Sequence, residues 1–183
     1  MSIHIDPNAT MQALLSEFPS AKRALFARYH IGGCKSCSYA DDESLSAVCG
    51  RNELAVEEVV AHILESMEHD QKMLLEPSEL KTWLDEGRQL VLLDARTREE
   101  FEEIPFQAKG VQAKFLNQEI QQALFAGPSE TTIVIFDHAG SRVLDVCAWF
   151  RGHQMQNTYG LIGGLDRWAE EIDESVPRYK LEL

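Results

Sequence analysis

The sequence has 183 residues, enough for one medium-sized domain or two small ones. Its 30 acidic and 17 basic side chains give a formal net charge of -13, which disfavours binding to nucleic acid or to an anionic membrane surface. The longest apolar runs, 90–93 and 133–136, are far shorter than the roughly 20 residues that cross a bilayer, and the first ten residues lack the pattern of a secretion signal, so a cytoplasmic location is expected.

The first part of the chain, residues 1–68, is predicted to be a small all-α domain because helical periodicity runs through it without a strand pattern. The second helix carries a proline near its start, and the third is expected to close at Gly50. The four predicted helices are 9–18, with Thr10 as N-cap, 19–30, 43–50 and 54–67. Residues 69–72 are polar and are predicted to be a linker.

From residue 73 to 183, buried strands alternate with helices, which predicts an α/β domain with a mostly parallel sheet and helices on both faces. In chain order the predicted elements are helix 76–87, strand 89–96, helix 97–103, helix 117–127, strand 131–136, helix 141–152, strand 157–162 and helix 163–172. Ligands in such folds gather at the carboxyl ends of the strands, where Asp94 and Asp137 are expected.

Three motifs of this second part, at residues 92–101, 133–142 and 160–179, resemble the rhodanese family, and the resemblance extends over about residues 73–180. The segment "LLDAR" with "REEF" (92–101) is similar to the family's D-x-R signature and the glutamate that follows it. The segment "IVIFDHAGSR" (133–142) resembles a strand followed by the family's active-site loop, and 160–179 resembles its closing Gly-Gly segment. The resemblance implies a rhodanese fold and, in typical members, a loop cysteine that carries sulfur as a persulfide.

The loop itself departs from that pattern. Aligning Gly140 and Arg142 with the family places Asp137 where the reactive cysteine belongs. The remaining loop positions are filled by His138, Ala139 and Ser141. Such a loop directs backbone N–H groups inward and holds an anion, so a carboxylate is able to occupy it, but a carboxylate cannot form a persulfide. Ile104 and Pro105 remain from a second family turn whose other residues differ.

Two other residues of the second part, Asp137 as a nucleophile and Cys147 as a sulfur carrier, are less favoured as catalytic groups. A nucleophilic Asp137 would need a second loop carboxylate and a magnesium site, which the loop pattern does not show. Cys147 lies on a helix face with Val143, Val146 and Phe150, which is typical of a thiol packed in the core. Arg96 and Arg142 are predicted to pair with loop carboxylates rather than to bind substrate.

Cysteines of the first part form a second candidate site. Cys34 and Cys37 have Cys-x-x-Cys spacing directly after Gly32-Gly33, and Cys49 follows. This spacing permits metal ligation, thiol redox chemistry or sulfur relay, and it leaves inert structural thiols open as well. A zinc ion or an iron–sulfur cluster would need a fourth ligand, for which His30 is the nearest candidate and His62 the next.

This part also resembles known domains, over about residues 3–68. The run 18–34 and the segment "ESLSAVC" (43–49) are similar to small helical domains of unknown function that carry a Gly-Cys-x-x-Cys turn. They resemble, more distantly, the N-terminal domain of iron–sulfur cluster repair proteins.

Together these patterns indicate a two-domain protein of a sulfur or iron–sulfur pathway. Its rhodanese-like half has lost its own sulfur carrier and recognises a partner or a small anion, while Cys34 and Cys37 carry the redox, metal or sulfur activity. A sulfur-carrier or iron–sulfur assembly protein is the expected partner. A non-enzymatic interaction module and a thiosulfate sulfurtransferase with a relocated cysteine are the alternatives.

Overall fold

In the computed structural model of the chain, the residues described are 3–32 and 38–179. The chain divides into two compact units, Met1–Gln71 and Lys72–Leu183. No helix within the described ranges combines the length and the apolar character that crossing a bilayer requires.

The first unit is helical, as the sequence predicts. Its helices are α1 (Met11–Glu17), α2 (Ala21–Tyr29), α3 (Leu45–Arg51) and α4 (Val56–Gln71). Thr10 is the N-cap of α1, because its hydroxyl accepts the Ala13 N–H at 3.2 Å. The helices bury one apolar core, whose fully enclosed members include Met11, Leu25, Leu45, Cys49, Val59 and Ile63.

Several helix ends differ from their predicted positions. Helix α2 ends at Tyr29 because His30 adopts the left-handed conformation, with φ of 57°, before the glycines are reached. Helix α3 passes through Gly50 to Arg51. Helix α4 includes residues 69–71, which were predicted to be part of the linker, and its Asp70 is buried in an ion pair with Arg23 of α2. That pair keeps the last turn of α4 packed against the unit.

The second unit is built on a five-stranded parallel sheet, which confirms the predicted fold class. Its strands are β1 (Leu74–Leu75), β2 (Val91–Asp94), β5 (Lys114–Phe115), β6 (Ile133–Phe136) and β7 (Thr158–Leu161), in the order β1-β7-β6-β2-β5. A separate antiparallel hairpin joins β3 (Gln107–Ala108) to β4 (Val111–Gln112). The helices are α5 (Pro77–Asp85), α6 (Arg98–Glu103), α7 (Gln118–Ala126), α8 (Val143–Gly152) and α9 (Gly164–Glu171).

Both faces of this sheet are buried, and β6 shows how. Ile133 and Ile135 belong to one apolar cluster, which includes Phe150 of α8, whereas Val134 and Phe136 belong to another, which includes Trp168 of α9. Alternate side chains of a strand point to opposite faces, so each face of the sheet packs against its own helices.

The strands absent from the sequence prediction are β1, β3, β4 and β5, each of two residues. Two residues are too few to show the alternation by which a strand is recognised in a sequence. Their positions are fixed by partners, as when Leu75 of β1 pairs with Leu161 of β7.

Pairing between β2 and β6 positions the candidate site. Asp94, the last residue of β2, is directly paired with Phe136, the last residue of β6. The two strands therefore end side by side, and the loops after Asp94 and Phe136 emerge together at the carboxyl edge of the sheet, as predicted for this fold.

Candidate functional site

The loop that follows β6, residues 137–142, encloses the carboxylate of its own first residue. Asp137 is 2% exposed. Its carboxylate accepts the Gly140 N–H and, at 2.8 Å, the Arg142 N–H, while the Ser141 hydroxyl lies at 3.4 Å. Gly140 has φ of +79°, a conformation that turns its N–H inward and that glycine adopts without strain. The loop is thus an anion nest, and the anion inside it is a carboxylate.

Arg142 adds a positive charge to the rim of this nest. Its Nε lies 3.9 Å from an Asp137 oxygen, and its Nη2 donates at 2.9 Å to the carbonyl of Ala95. The arginine therefore joins the loop after β6 to the loop after β2. Its side chain is 59% exposed, so the rim of the nest presents a cation at the surface.

The first turn of α9 supports the nest from behind. The N–H groups of Leu165 and Asp166 donate, each at 3.0 Å, to the carbonyls of Asp137 and His138. This close approach requires glycine at position 164, where a Cβ would collide with the Asp137 carbonyl and lie 2.6 Å from that of His138. The Gly-Gly segment recognised in the sequence is therefore the backbone surface on which the loop rests.

Gly164→Ala is expected to lower the free energy of unfolding of this unit by about 1–3 kcal/mol, because it adds both a clash and a strained φ of +58°. Urea unfolding followed by circular dichroism measures the change. Gly152→Ala is the matched control, since a Cβ there meets nothing within 4 Å. If Gly152→Ala destabilised the unit as much as Gly164→Ala, the close approach of the loop to Gly164 would not explain the loss.

Next to the nest lies a buried ion pair. Both side chains of Asp94 and Arg96 are 0% exposed. The Arg96 guanidinium donates to the Asp94 carboxylate through Nε, at 3.0 and 3.1 Å, and through Nη2 at 2.7 Å. Nη2 also donates to the Ile104 carbonyl at 2.8 Å. Arg96 thus stabilises the fold through the D-x-R motif, and it fixes the turn that contains Ile104.

The remaining Arg96 nitrogen, Nη1, donates to the Tyr179 hydroxyl at 3.1 Å. That hydroxyl in turn donates to a Glu100 carboxylate oxygen at 2.6 Å. Burial and the bond to Glu100 raise the pKa of Tyr179 to about 12, so the phenol stays protonated at neutral pH. Burial acts to raise the pKa of Glu100, but its bonds with Tyr179 and Thr97 outweigh this and hold the pKa below its usual value.

Sequence analysis missed Tyr179 as a member of this site. It ends the described part of the chain, 83 residues beyond Arg96. Its ring lies against the ring of His138, with centroids 4.3 Å apart. Tyr179 ends the segment 160–179 that resembles the family's closing motif, but the resemblance rests on the glycines of that segment. No signal in the sequence therefore places the tyrosine beside Arg96.

Cys147 lies in the core beside the sheet, which confirms the prediction that this thiol serves packing. It is 0% exposed and lies under β7, where a Cβ on Gly160 would come 3.3 Å from its sulfur. Burial raises the pKa of Cys147 to about 12, which leaves the thiol neutral and poorly reactive.

We expect Cys147 to resist iodoacetamide in the native protein and to react at the rate of a free thiol only once the unit unfolds. Mass mapping of the alkylated peptide at increasing urea measures this directly. Rapid labelling of Cys147 in the absence of urea would show that the core opens locally at α8.

The candidate residues of the helical unit are only partly described. Cys34 and Cys37 lie outside the described residues. Cys49 is 0% exposed within the core, and burial raises its pKa, with the nearby Glu57 charge adding to the effect. His30 is exposed at the end of α2, with its ring edge-on to Phe26 at 5.9 Å.

His62, the second candidate ligand, is engaged within its own unit. Its Nε2 donates to the Ala24 carbonyl at 3.2 Å, and its ring meets Tyr29 edge-on at 5.6 Å. Among residues 3–32 and 38–179, no three His, Cys, Asp or Glu side chains are grouped so as to hold a metal ion. The ligand set Cys34, Cys37, Cys49 and His30 stays a prediction.

A parallel sheet with an anion nest at its carboxyl edge is the architecture that the sequence motifs implied. The model of the rhodanese-like domain family matches residues 76–171, just over half of the chain. The chain belongs to the rhodanese-like domain family.

Individual relatives also match more than half of the chain. The chain is 27% identical over 103 residues to a probable adenylyltransferase/sulfurtransferase, MoeZ, of Mycobacterium tuberculosis, and these residues are 56% of this chain and 26% of the relative. The chain therefore spans about a quarter of the length of the curated relative it matches.

Two solved structures are similar to this chain. The rhodanese-like domain of an Anabaena protein has 16% identity and a TM-score of 0.47, covering 60% of this chain and 87% of that one. A polysulfide-sulfur transferase of Wolinella succinogenes has 20% identity and a TM-score of 0.45, covering 67% of this chain and 90% of that one.

Proposed function

We propose that this protein acts in a sulfur or iron–sulfur pathway through a rhodanese-like unit that carries no sulfur itself. Family membership and the sulfurtransferase named among its relatives support the pathway. The observation that carries the proposal is the Asp137 carboxylate, which accepts the Gly140 and Arg142 N–H groups of the nest. In this unit the nest is satisfied by the chain's own anion.

No other sulfur in this unit replaces the missing carrier. Cys147 is the only cysteine of residues 72–183, and its thiol is neutral and enclosed in the core. To take sulfur from a donor such as thiosulfate, a cysteine must attack the donor sulfur as a thiolate. Cys147 has neither the charge nor the access for this step.

Without a carrier, the unit serves recognition. The exposed Arg142 and the half-buried His138 present cationic and aromatic groups at the edge of the nest. Such a surface suits an acidic face of a sulfur-carrier or iron–sulfur assembly protein, for which charge complementarity sets orientation and association rate.

The redox, metal-binding or sulfur-relay activity then lies with Cys34 and Cys37 of the helical unit. The pair has the spacing of dithiol redox, metal and sulfur-relay sites, and Lys35 between them favours a thiolate. Cys49, by contrast, has the burial and the raised pKa of a structural thiol.

One experiment on the full chain distinguishes these roles. Protein purified without oxygen is analysed for zinc and iron, then treated with thiosulfate, and its persulfides are mapped by mass spectrometry. We expect no added sulfur between residues 72 and 183. Sulfur or metal that is lost in Cys34→Ser and Cys37→Ser, but kept in Cys49→Ala, supports the assignment.

Two results would overturn parts of this proposal. Sulfur added within residues 72–183 would show a carrier in the rhodanese-like unit. Cys34 and Cys37 that take up neither metal nor sulfur and resist alkylation in the native protein would make the chain a non-enzymatic interaction module.

A further inference from the structure

We propose that residues 173–179 form a detachable strap that shields His138 of the loop that holds Asp137. This inference rests on the proposed function and deepens it in one respect, since the chain itself would cover and uncover His138, the aromatic part of the recognition surface.

The strap is attached by side chains. Val176, which is partly buried, packs against the apolar cluster that includes Trp168, and the polar contacts lie near the end of the strap, at Arg178 and Tyr179. Arg178 forms a two-point ion pair with Asp166 of α9, at 2.8 and 3.0 Å, and Tyr179 joins Arg96 to Glu100 through its hydroxyl. These contacts tie the strap to α9 and to the loop after β2. The Tyr179 ring is thereby held against His138 of the loop after β6.

The backbone of the strap has few hydrogen bonds to the rest of the unit. Within the described part of the chain, the N–H groups of Ser175 and Val176 bond to Asp173, inside the strap itself. No residue from Glu174 to Tyr179 adds a backbone hydrogen bond to the sheet in these ranges. Segments held by side chains alone belong to the least stable part of a fold and open without global unfolding.

Breaking the contacts of Arg178 and Tyr179 requires little free energy and does not disturb the buried Asp94–Arg96 pair. Arg178 and Asp166 are 49% and 35% exposed, and ion pairs of that exposure contribute little. Arg96 keeps its bonds to Asp94 and to the Ile104 carbonyl when Tyr179 leaves. The buried pair therefore remains intact with the strap open.

Opening of the strap allows a buried polar atom of His138 to form a hydrogen bond with water. Its Nδ1 is buried and has no hydrogen-bond partner among the described residues. A buried polar atom without a partner raises the free energy of the closed state, and water satisfies that atom once the strap leaves. The closed and open states are therefore balanced more evenly than the number of contacts on Tyr179 suggests.

Histidine modification tests the strap on the full chain. Diethyl pyrocarbonate labels accessible imidazoles, and mass spectrometry resolves the six histidines, with exposed His153 as an internal standard. In the double variant Arg178→Ala with Tyr179→Ala, His138 is expected to react at least about fivefold faster than in the unchanged protein. His153 is expected to keep its rate.

Arg98→Ala is the matched control, because Arg98 is 65% exposed and its partners, Glu102 and the Phe115 ring, lie outside the strap. Protection of Cys147 from alkylation reports that the double variant is folded. An unchanged His138 rate in a folded double variant would overturn the shielding.

Low urea tests detachment in the unchanged protein. Local opening exposes little surface, so His138 labelling is expected to depend weakly on urea, whereas Cys147 labelling rises steeply. A parallel rise at both residues would mean that His138 is reached only by unfolding, and would overturn the strap. Neither measurement involves sulfur transfer, a metal or a partner. Failure of the strap proposal would therefore leave the proposed role of Asp137 to be decided by its own experiment.

Discussion

Arg96→Ala is expected to lower the free energy of unfolding of the rhodanese-like unit by about 3–5 kcal/mol. The side chains of Arg96 and Asp94 are both fully enclosed. Removing the guanidinium leaves the Asp94 carboxylate as a buried charge without its partner, and it also leaves the Ile104 carbonyl without a donor. Such a cost is a large fraction of the stability of a domain of this size.

Urea unfolding followed by circular dichroism measures this loss, and two further variants keep the prediction testable if Arg96→Ala does not fold. Arg96→Lys retains the charge but not the paired geometry, so we expect an intermediate loss. Arg98→Ala breaks an exposed pair on the neighbouring helix and is expected to cost about 0–1 kcal/mol. Equal losses for Arg96→Ala and Arg98→Ala would show that the buried pair does not stabilise the unit.

Asp137→Cys is expected to give the rhodanese-like unit a sulfur carrier. The Gly140 and Arg142 N–H groups that now bond the carboxylate would face a thiolate, and the Arg142 guanidinium would lower its pKa. The thiolate attacks the outer sulfur of thiosulfate, the S–S bond of the donor breaks, and sulfite leaves. Cyanide then removes the outer sulfur of the persulfide as thiocyanate and restores the thiolate.

Mass mapping after thiosulfate treatment detects one added sulfur at position 137, and thiocyanate formation gives the rate. We expect a rise of about 100-fold or more over the unchanged protein, the scale of a preorganised group of N–H donors. Asp137→Ser is the matched control, since it has similar size and no sulfur. The Cys34→Ser and Cys37→Ser changes in the same background remove any contribution from the helical unit.

A folded Asp137→Cys variant that takes up no sulfur at position 137 would contradict the view that the nest is intact. The cause would then lie outside the loop, and the turn at Ile104 and Pro105, which departs from the family pattern, is the first place to examine.

The sequence predicted the secondary structure of both units, but it predicted the burial of individual side chains less well in the first unit. In the second unit, the four-residue buried strands and the capped helices carry their own signals. One example is Thr97, the N-cap of α6, whose hydroxyl accepts the Glu100 N–H. In the first unit the helices were also predicted, but Phe26, an apolar residue within predicted helix 19–30, is 49% exposed. Periodicity places a side chain on a helix face, and only packing decides whether another element covers that face.

The family and the parallel α/β architecture could be predicted from the sequence alone, because they depend on local patterns. The assignment of Asp137 to the position of the family's thiol depends on the identity of one residue, and it stays a prediction. The hydrogen-bond partners of the Asp137 carboxylate, the burial of Arg96 and the position of Tyr179 became known only from the folded structure. These depend on contacts between residues far apart in the chain, such as Tyr179 and Arg96, and no local pattern encodes such a meeting. The physical reason is that a side chain's environment is set by the elements packed around it, and that packing exists only in the folded chain.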